Sequence, residues 1–109
     1  MKPKPSRADI LIIGGGLSGI CAAIAASREG ATVNLVERLD ELGGSIGGNI
    51  QMPLDSAGTS NEIFFRESGL YEEIISAIRF YNGEGSYAGQ ARALLTFLKT
   101  EPNITPYLG

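Results

Sequence analysis

The sequence lacks histidine and tryptophan and has a single cysteine, Cys21, among its 109 residues. Without histidine, these residues supply neither a His general base nor a His ligand for a zinc site. One cysteine cannot form an internal disulfide, and a cysteine that stands among alanines is typically a small buried hydrophobe. The sequence therefore indicates no metal site and no His-dependent catalysis in this segment.

Basic residues and long apolar runs are also scarce. Nine Lys and Arg against twelve Asp and Glu give a net charge of −3, so the chain lacks the basic surface that nucleic-acid binders use. Arg28, Glu29, Glu37 and Arg38 interrupt the most hydrophobic third, which excludes an apolar run of about 20 residues that would span a bilayer. The basic residues 1–7 lead into a short strand, not into a signal-peptide apolar region. We expect a cytoplasmic domain with no nucleic-acid or membrane partner.

Glycine, in contrast, is abundant. The 15 glycines are concentrated at residues 14–19 and 43–48, and glycine clusters mark backbone that another group approaches closely. A content of 43% hydrophobic and 19% charged residues suits one small globular domain.

The first 37 residues predict a strand, a helix and a second strand. Ile10 to Ile13 form an uninterrupted aliphatic run, typical of a parallel strand that is covered on both faces. An alanine-rich helix begins near Leu17 and ends before Gly30. Thr32 to Val36 then form a second strand that ends at Glu37. This order predicts a βαβ unit, and therefore an α/β fold with a parallel sheet.

The remainder alternates loop and helix. Residues 38–58 carry six glycines or prolines and predict a long loop, which in a compact domain is usually functional. Beyond it we predict helices over Thr59 to Ser68, Leu70 to about Phe80 and Tyr87 to Leu98, and a strand that begins at Ile104.

The sequence Gly14-Gly15-Gly16-Leu17-Ser18-Gly19 is a G-x-G-x-x-G motif between the first predicted strand and helix. In such a motif the first glycine permits the tight turn, the second lets a pyrophosphate approach the backbone, and the third lets helix and strand pack closely. Amides at the start of the helix then bind the phosphate charge. The acidic residue that ends the second strand, Glu37, is placed to accept hydrogen bonds from ribose hydroxyls. NAD and FAD both fit these features.

Glu37-Arg38 followed by Gly43-Gly44 resembles the extended signature of two-dinucleotide-binding-domain flavoproteins, the group of glutathione-reductase-like and amine-oxidase-like enzymes. The run from Asp9 to Gly48 follows that signature in order. The segments 59–68, 93–95 and 101–105 also resemble a less characterised branch of FAD-dependent oxidoreductases.

The resemblance implies a Rossmann-like FAD-binding domain and assigns roles within it. It places Gly14, Gly15, Gly16, Leu17, Ser18 and Gly19 at the FAD pyrophosphate, Glu37 at the adenosine ribose and Arg38 on the adenine side. It places Gly43, Gly44 and Ser45 along the route to the ribityl chain and flavin. No residue is assigned a catalytic role.

The same resemblance implies a domain organisation. We divide the chain into a disordered lead (1–8), a dinucleotide-binding βαβ unit (9–48) and a helical segment (49–109) that continues in a longer protein. In the resembled enzymes a later segment completes the sheet and covers the flavin, so we expect exposed apolar surface along Ile10 to Ile13 and Thr32 to Val36.

The function implied is hydride transfer to FAD from an unknown small-molecule substrate, with the oligomeric state open. The alternatives are an NAD-binding oxidoreductase domain and a non-enzymatic fragment that binds cofactor weakly or not at all.

Overall fold

The computed structural model describes residues 6–54 and 68–109. They form three strands and three α-helices in chain order: β1 (Ile10–Ile13), α1 (Leu17–Arg28), β2 (Val33–Glu37), α2 (Leu70–Tyr81), α3 (Gln90–Leu98) and β3 (Ile104–Leu108). Short 3₁₀ turns occur at Gly44–Ile46 and at Tyr87–Gly89, the second where the sequence predicts the first turn of an α-helix. The predicted helix at 59–68 lies, except for Ser68, outside the described residues.

The strands form one open parallel sheet in the order β1-β2-β3. Ile10 pairs with Val33, and Val33 pairs with Ile104, so all three strands run in the same direction. The carboxyl ends of β1 and β2 therefore meet at one edge of the sheet, which is where parallel α/β folds bind ligands. The predicted α/β class with a Rossmann-like βαβ unit is confirmed.

The exposed apolar surface predicted for the first two strands is present on β1 and absent from β2. Leu11 is 61% exposed and Ile13 is 81% exposed, whereas Val33 and Leu35 are buried. The prediction for β2 was wrong because Val33 and Leu35 lie on the sheet face that packs in the core with α1, whereas Leu11 and Ile13 lie on the opposite face. Within the described residues β1 pairs with β2 alone. Its aliphatic composition predicts a strand covered on both faces, but in the structure β1 is an edge strand with one exposed face.

The helices supply a single hydrophobic core. Helix α1 packs on the sheet, with Ile20 and Ile24 fully buried at i, i+4 spacing. Helices α2 and α3 pack against each other, and Ile74 of α2 and Leu94 of α3 join the same buried cluster as α1 and the strands. No helix in residues 6–54 or 68–109 has the length and apolar content needed to cross a membrane.

The middle strand contains a buried polar side chain. Asn34 of β2 is only 6% exposed, and its Nδ2 donates a 2.5 Å hydrogen bond to the carbonyl of Ser6. The backbone N–H of Ser6 in turn donates to the Tyr107 hydroxyl on β3. The N-terminal segment is thereby attached to the sheet face that carries Leu11.

A charged triad connects the last turn of α1 to two later elements. The Arg28 guanidinium donates to both carboxylate oxygens of Glu73 on α2, at 3.0 and 2.8 Å. It also donates to Glu101, in the turn before β3, at 3.2 and 3.0 Å. These contacts raise the pKa of Arg28 and lower that of Glu73. The triad fixes how α2 and the β3 turn lie against α1.

We expect Arg28→Met to lower the free energy of unfolding by about 0.5–1 kcal/mol, the size typical of a half-exposed ion-pair network. The loss should shrink in 1 M salt, where screening acts within about 3 Å. Chemical denaturation at both salt concentrations measures it. Arg79→Met on α2 is the control, since no ion pair joins Arg79 to a described residue. Equal losses in the two variants would contradict a role for the triad.

Candidate functional site

A cleft of about 470 Å³ opens at the carboxyl edge of the sheet, between the end of β1, the start of α1 and the second glycine cluster. The cleft wall contains eight of the residues predicted to bind cofactor: Gly14, Gly16, Leu17, Ser18, Gly19, Gly43, Gly44 and Ser45. Ile13, which sequence reasoning assigned only to the strand, also lines it. The two glycine clusters, far apart in sequence, thus form one concave surface.

In the turn from β1 into α1, backbone conformation and close packing require most of the glycines. Gly14 has φ +112°, a backbone conformation that L side chains rarely adopt. A Cβ on Gly19 would overlap the carbonyl oxygen of Gly14. A Cβ on Gly15 would overlap the end of the buried Leu42 side chain and lie only 3.0 Å from the Cβ of Glu37. The fold of the turn accounts for these three glycines.

Gly16 differs from its neighbours. Its φ of −72° and ψ of 178° are extended values open to any residue. A Cβ there would meet nothing closer than the Cα of Gly44 at 3.9 Å, an ordinary van der Waals contact. Neither backbone conformation nor packing within the described residues therefore explains a glycine at position 16. The space beside it is open to the cleft.

The second glycine cluster runs alongside the first and is hydrogen bonded to it. The N–H of Gly43 donates to the carbonyl of Gly15 at 2.8 Å, and Gly16 and Gly43 form a parallel bridge. A Cβ on Gly44 would lie 3.2 Å from the Cα of Gly16. The two backbones are therefore close enough to act as one wall. Ser45 follows on the exposed side.

Glu37 bridges the glycine turn and the segment after β2. Its Oε2 accepts a 2.6 Å hydrogen bond from the N–H of Gly15, and its Oε1 accepts one of 2.9 Å from the N–H of Leu39. The Leu39 N–H lowers the pKa of Glu37 most, and the Gly15 N–H and the charge of Arg38 add to this, against the opposing effect of partial burial. The carboxylate is therefore ionised near neutral pH and holds the turn in place. Sequence reasoning assigned it to a ribose and missed this structural bond.

Three predicted site residues lie outside the cleft wall. Gly15 is buried behind the wall, and its N–H donates a hydrogen bond to Glu37. Arg38 is exposed beyond the end of β2. Cys21 lies further along α1, and burial raises the pKa of its thiol. Within residues 6–54 and 68–109 there is no group of three His, Cys, Asp or Glu side chains that could hold a metal ion.

Gln90, the first residue of α3, was missed by sequence reasoning. Its side-chain amide is buried and donates to the carbonyls of Ile46 and Met52, each at 3.0 Å. Both acceptors lie in the loop that begins with Gly43 and Gly44. No local pattern signals contacts between residues 44 and 38 positions apart.

We expect Glu37→Gln to lower the free energy of unfolding by about 1–2 kcal/mol at pH 7, since an amide in its place accepts at only one of its two polar atoms. A carboxylate with a lowered pKa stabilises the fold above its ordinary pKa of 4.5. That stabilisation is lost as the pH falls through the folded-state pKa, so the two proteins should converge below pH 4.5. Urea denaturation across this range measures the convergence.

Glu84→Gln is the control, because Glu84 is exposed in the turn after α2. It should match the wild-type protein at every pH. A difference between Glu37→Gln and wild type that stays constant into acid would contradict the role assigned to the charge.

Comparison with known proteins places the chain in a family. The model of the family described as FAD dependent oxidoreductase matches residues 9–106. Among solved structures, the chain is similar to histamine dehydrogenase from Rhizobium sp. 4-9, with 17% sequence identity and a TM-score of 0.48. That similarity covers 99% of this chain but only 12% of the dehydrogenase chain. The family match, which spans nearly the whole chain, shows that the chain belongs to the FAD-dependent oxidoreductases, whose cofactor is FAD.

Proposed function

We propose that the cleft binds the pyrophosphate of FAD, and that the chain is the FAD-binding N-terminal part of an oxidoreductase that transfers hydride from a small-molecule substrate to the flavin. The observation that carries this proposal is Gly16. It is a glycine that the packing of residues 6–54 and 68–109 does not require, placed where a side chain would enter the cleft. A group that lies against the backbone there accounts for the glycine.

The start of α1 suits a pyrophosphate in charge as well as in shape. The first turn of α1 contains no acidic residue, and its N-cap residue, Gly16, has no side chain that could cap the helix. The N–H groups of a helix's first turn have no partners within the helix, and the helix dipole adds partial positive charge there. Leu17, Ser18 and Gly19 line the cleft at this point. We assign their backbone amides to the phosphate oxygens.

We assign the adenosine ribose to Glu37. A carboxylate has about four acceptor positions, and Gly15 and Leu39 use two of them. The remaining positions are available to ribose hydroxyls without loss of the bond to Gly15. We assign Arg38, exposed next to Glu37, to the adenine side.

The second glycine cluster forms the other half of the proposed site. We assign Gly43, Gly44 and Ser45 to the part of the cofactor that leads from the pyrophosphate toward the flavin. Gly44 and Ser45 are exposed on the cleft wall. The close approach of Gly44 to Gly16 supports one continuous binding surface.

When bound, FAD supplies the hydride-accepting chemistry, and the protein's task is to bind and orient it. The residues assigned here do only that, since none of them is an acid or base placed for proton transfer. We therefore propose that substrate binding and catalysis belong to parts of the enzyme other than residues 9–48, and that the helical segment 49–109 leads into them. On composition alone, we propose a cytoplasmic setting.

The family match favours FAD over NAD. The remaining alternative is a non-enzymatic fragment, which is favoured by the exposed aliphatic side chains of Leu11 and Ile13 on β1. Visible absorption of the protein, purified at its natural length, distinguishes the two. A flavin band with FAD released on heating supports the proposal, whereas a colourless protein that does not bind added FAD supports the alternative.

We expect Gly16→Val to weaken FAD binding by about 100-fold, which corresponds to about 2.7 kcal/mol, because the side chain fills the space assigned to the pyrophosphate. Its thermal stability should stay close to that of the wild type, since a Cβ at this position meets no described atom closer than 3.9 Å and the residue borders the open cleft. Fluorescence titration of the apoprotein with FAD gives the affinity.

Gly83→Val is the matched control. Gly83 is exposed in the turn after α2, with no atom within 4 Å of where its Cβ would lie. FAD affinity should be unchanged in this variant. Equal affinities in Gly16→Val and Gly83→Val would contradict the proposed pyrophosphate site.

A further inference from the structure

Residues 43–52, here named the platform loop, run from the second glycine cluster to the end of the cleft wall and beyond it. We infer that Gln90 is a positioning residue that holds the platform loop in the shape needed to bind FAD. This inference rests on the proposed function. Gln90 itself does not line the cleft, so any effect on the cofactor has to act through the loop.

The side-chain amide of Gln90 joins two separate points of the platform loop. Gln90 is only 5% exposed, and its Nε2 donates 3.0 Å hydrogen bonds to the carbonyls of both Ile46 and Met52. An amide nitrogen has two hydrogens, and each is used once. The single side chain therefore fixes the distance between two carbonyls that are six residues apart in sequence.

The loop is attached at its other end to the glycine turn. Gly43 donates to the carbonyl of Gly15, and the N–H of Met52 donates to the carbonyl of Ser45 at 2.9 Å. Helix α3 also packs directly on the loop, because a Cβ on Gly47 would lie 3.4 Å from that of Ala91. Gly44 and Ser45 are thus held between the bond to the glycine turn and the amide of Gln90.

The backbone of the loop does not favour this shape by itself. Gln51 has φ +50° and is the one non-glycine residue with positive φ in residues 6–54 and 68–109. The left-handed conformation is unfavourable for a residue with a side chain, and it persists where surrounding bonds impose it. The residue after Gln51 is Met52, whose carbonyl is one of the two acceptors of Gln90. Gln90 is therefore placed to stabilise the unfavourable turn.

Loss of Gln90 should weaken FAD binding without removing any cleft residue. Without its two hydrogen bonds the loop populates other shapes, and the apparent affinity falls in proportion to the fraction of molecules that retain the binding shape. We expect Gln90→Met, which keeps the length of the side chain but has no donor, to bind FAD about 10-fold more weakly. The binding shape requires positive φ at residue 51, so adding Gln51→Gly should restore most of the lost affinity.

The experiment uses the protein at its natural length and measures FAD affinity by fluorescence titration, with the thermal midpoint of each apoprotein. Asn34→Leu is the matched control, since it removes a buried amide on β2 that donates to the backbone carbonyl of Ser6, away from the loop. It should lower the thermal midpoint and leave FAD affinity unchanged. If Gln90→Met does not fold, Gln51→Val carries the test. Its side chain is exposed, and a β-branched residue disfavours positive φ, so FAD should again bind about 10-fold more weakly.

Each outcome bears on the inference. Weaker binding in Gln90→Met, recovered by Gln51→Gly and absent from Asn34→Leu, supports it. Wild-type affinity in Gln90→Met overturns it, as does equal weakening in Asn34→Leu, which would show a general effect of stability. Failure of the proposed function is recognised separately, because Gly16→Val would then also bind FAD with wild-type affinity.

Discussion

The hydrogen bond from the N–H of Gly43 to the carbonyl of Gly15 joins the two halves of the site. It brings two stretches of backbone together where side chains would keep them apart, and much of the local sequence serves that approach. A side chain on Gly15 would overlap Leu42, and one on Gly44 would crowd Gly16. The glycine content of this region is thus largely a packing requirement, and Gly16 is the position that we instead assign to ligand binding.

Glu37 shows how the fold and the site share a single group. The carboxylate ends the middle strand, where the sheet places it beside the glycine turn, and its bond to the Gly15 N–H connects strand and turn. The structure therefore explains an acidic residue at this position in addition to the ribose contact that we propose for it. The two explanations are compatible, because an ionised carboxylate has more acceptor positions than the two in use.

Local chemistry made the elements predictable. Glycine and proline mark the ends of β1, α1 and α3, and the uninterrupted aliphatic run of β1 indicates a parallel strand, so β1 has the bounds and β3 the first residue that the sequence suggested. The cleft was predictable in outline because parallel strands bring their carboxyl ends to one edge. Contacts between residues far apart in the sequence could not be predicted. The bonds of Gln90 to the platform loop and of Glu37 to Gly15 depend on how whole elements pack, and no spacing rule encodes them. The exposure of Leu11 and Ile13 likewise depends on which face of the sheet the helices pack against, which the aliphatic run does not reveal.

Strand β1 combines two properties that proteins usually keep apart. Within the described residues it has a hydrogen-bonded neighbour on one side only, and Leu11 and Ile13 are solvent-exposed. An aliphatic edge strand is a template onto which another extended chain adds by backbone hydrogen bonding, and proteins commonly guard such edges with charge or proline. Residues 10–13 carry neither. Wherever this edge stays uncovered, for instance while the chain is being synthesised, it offers a site for strand addition and aggregation.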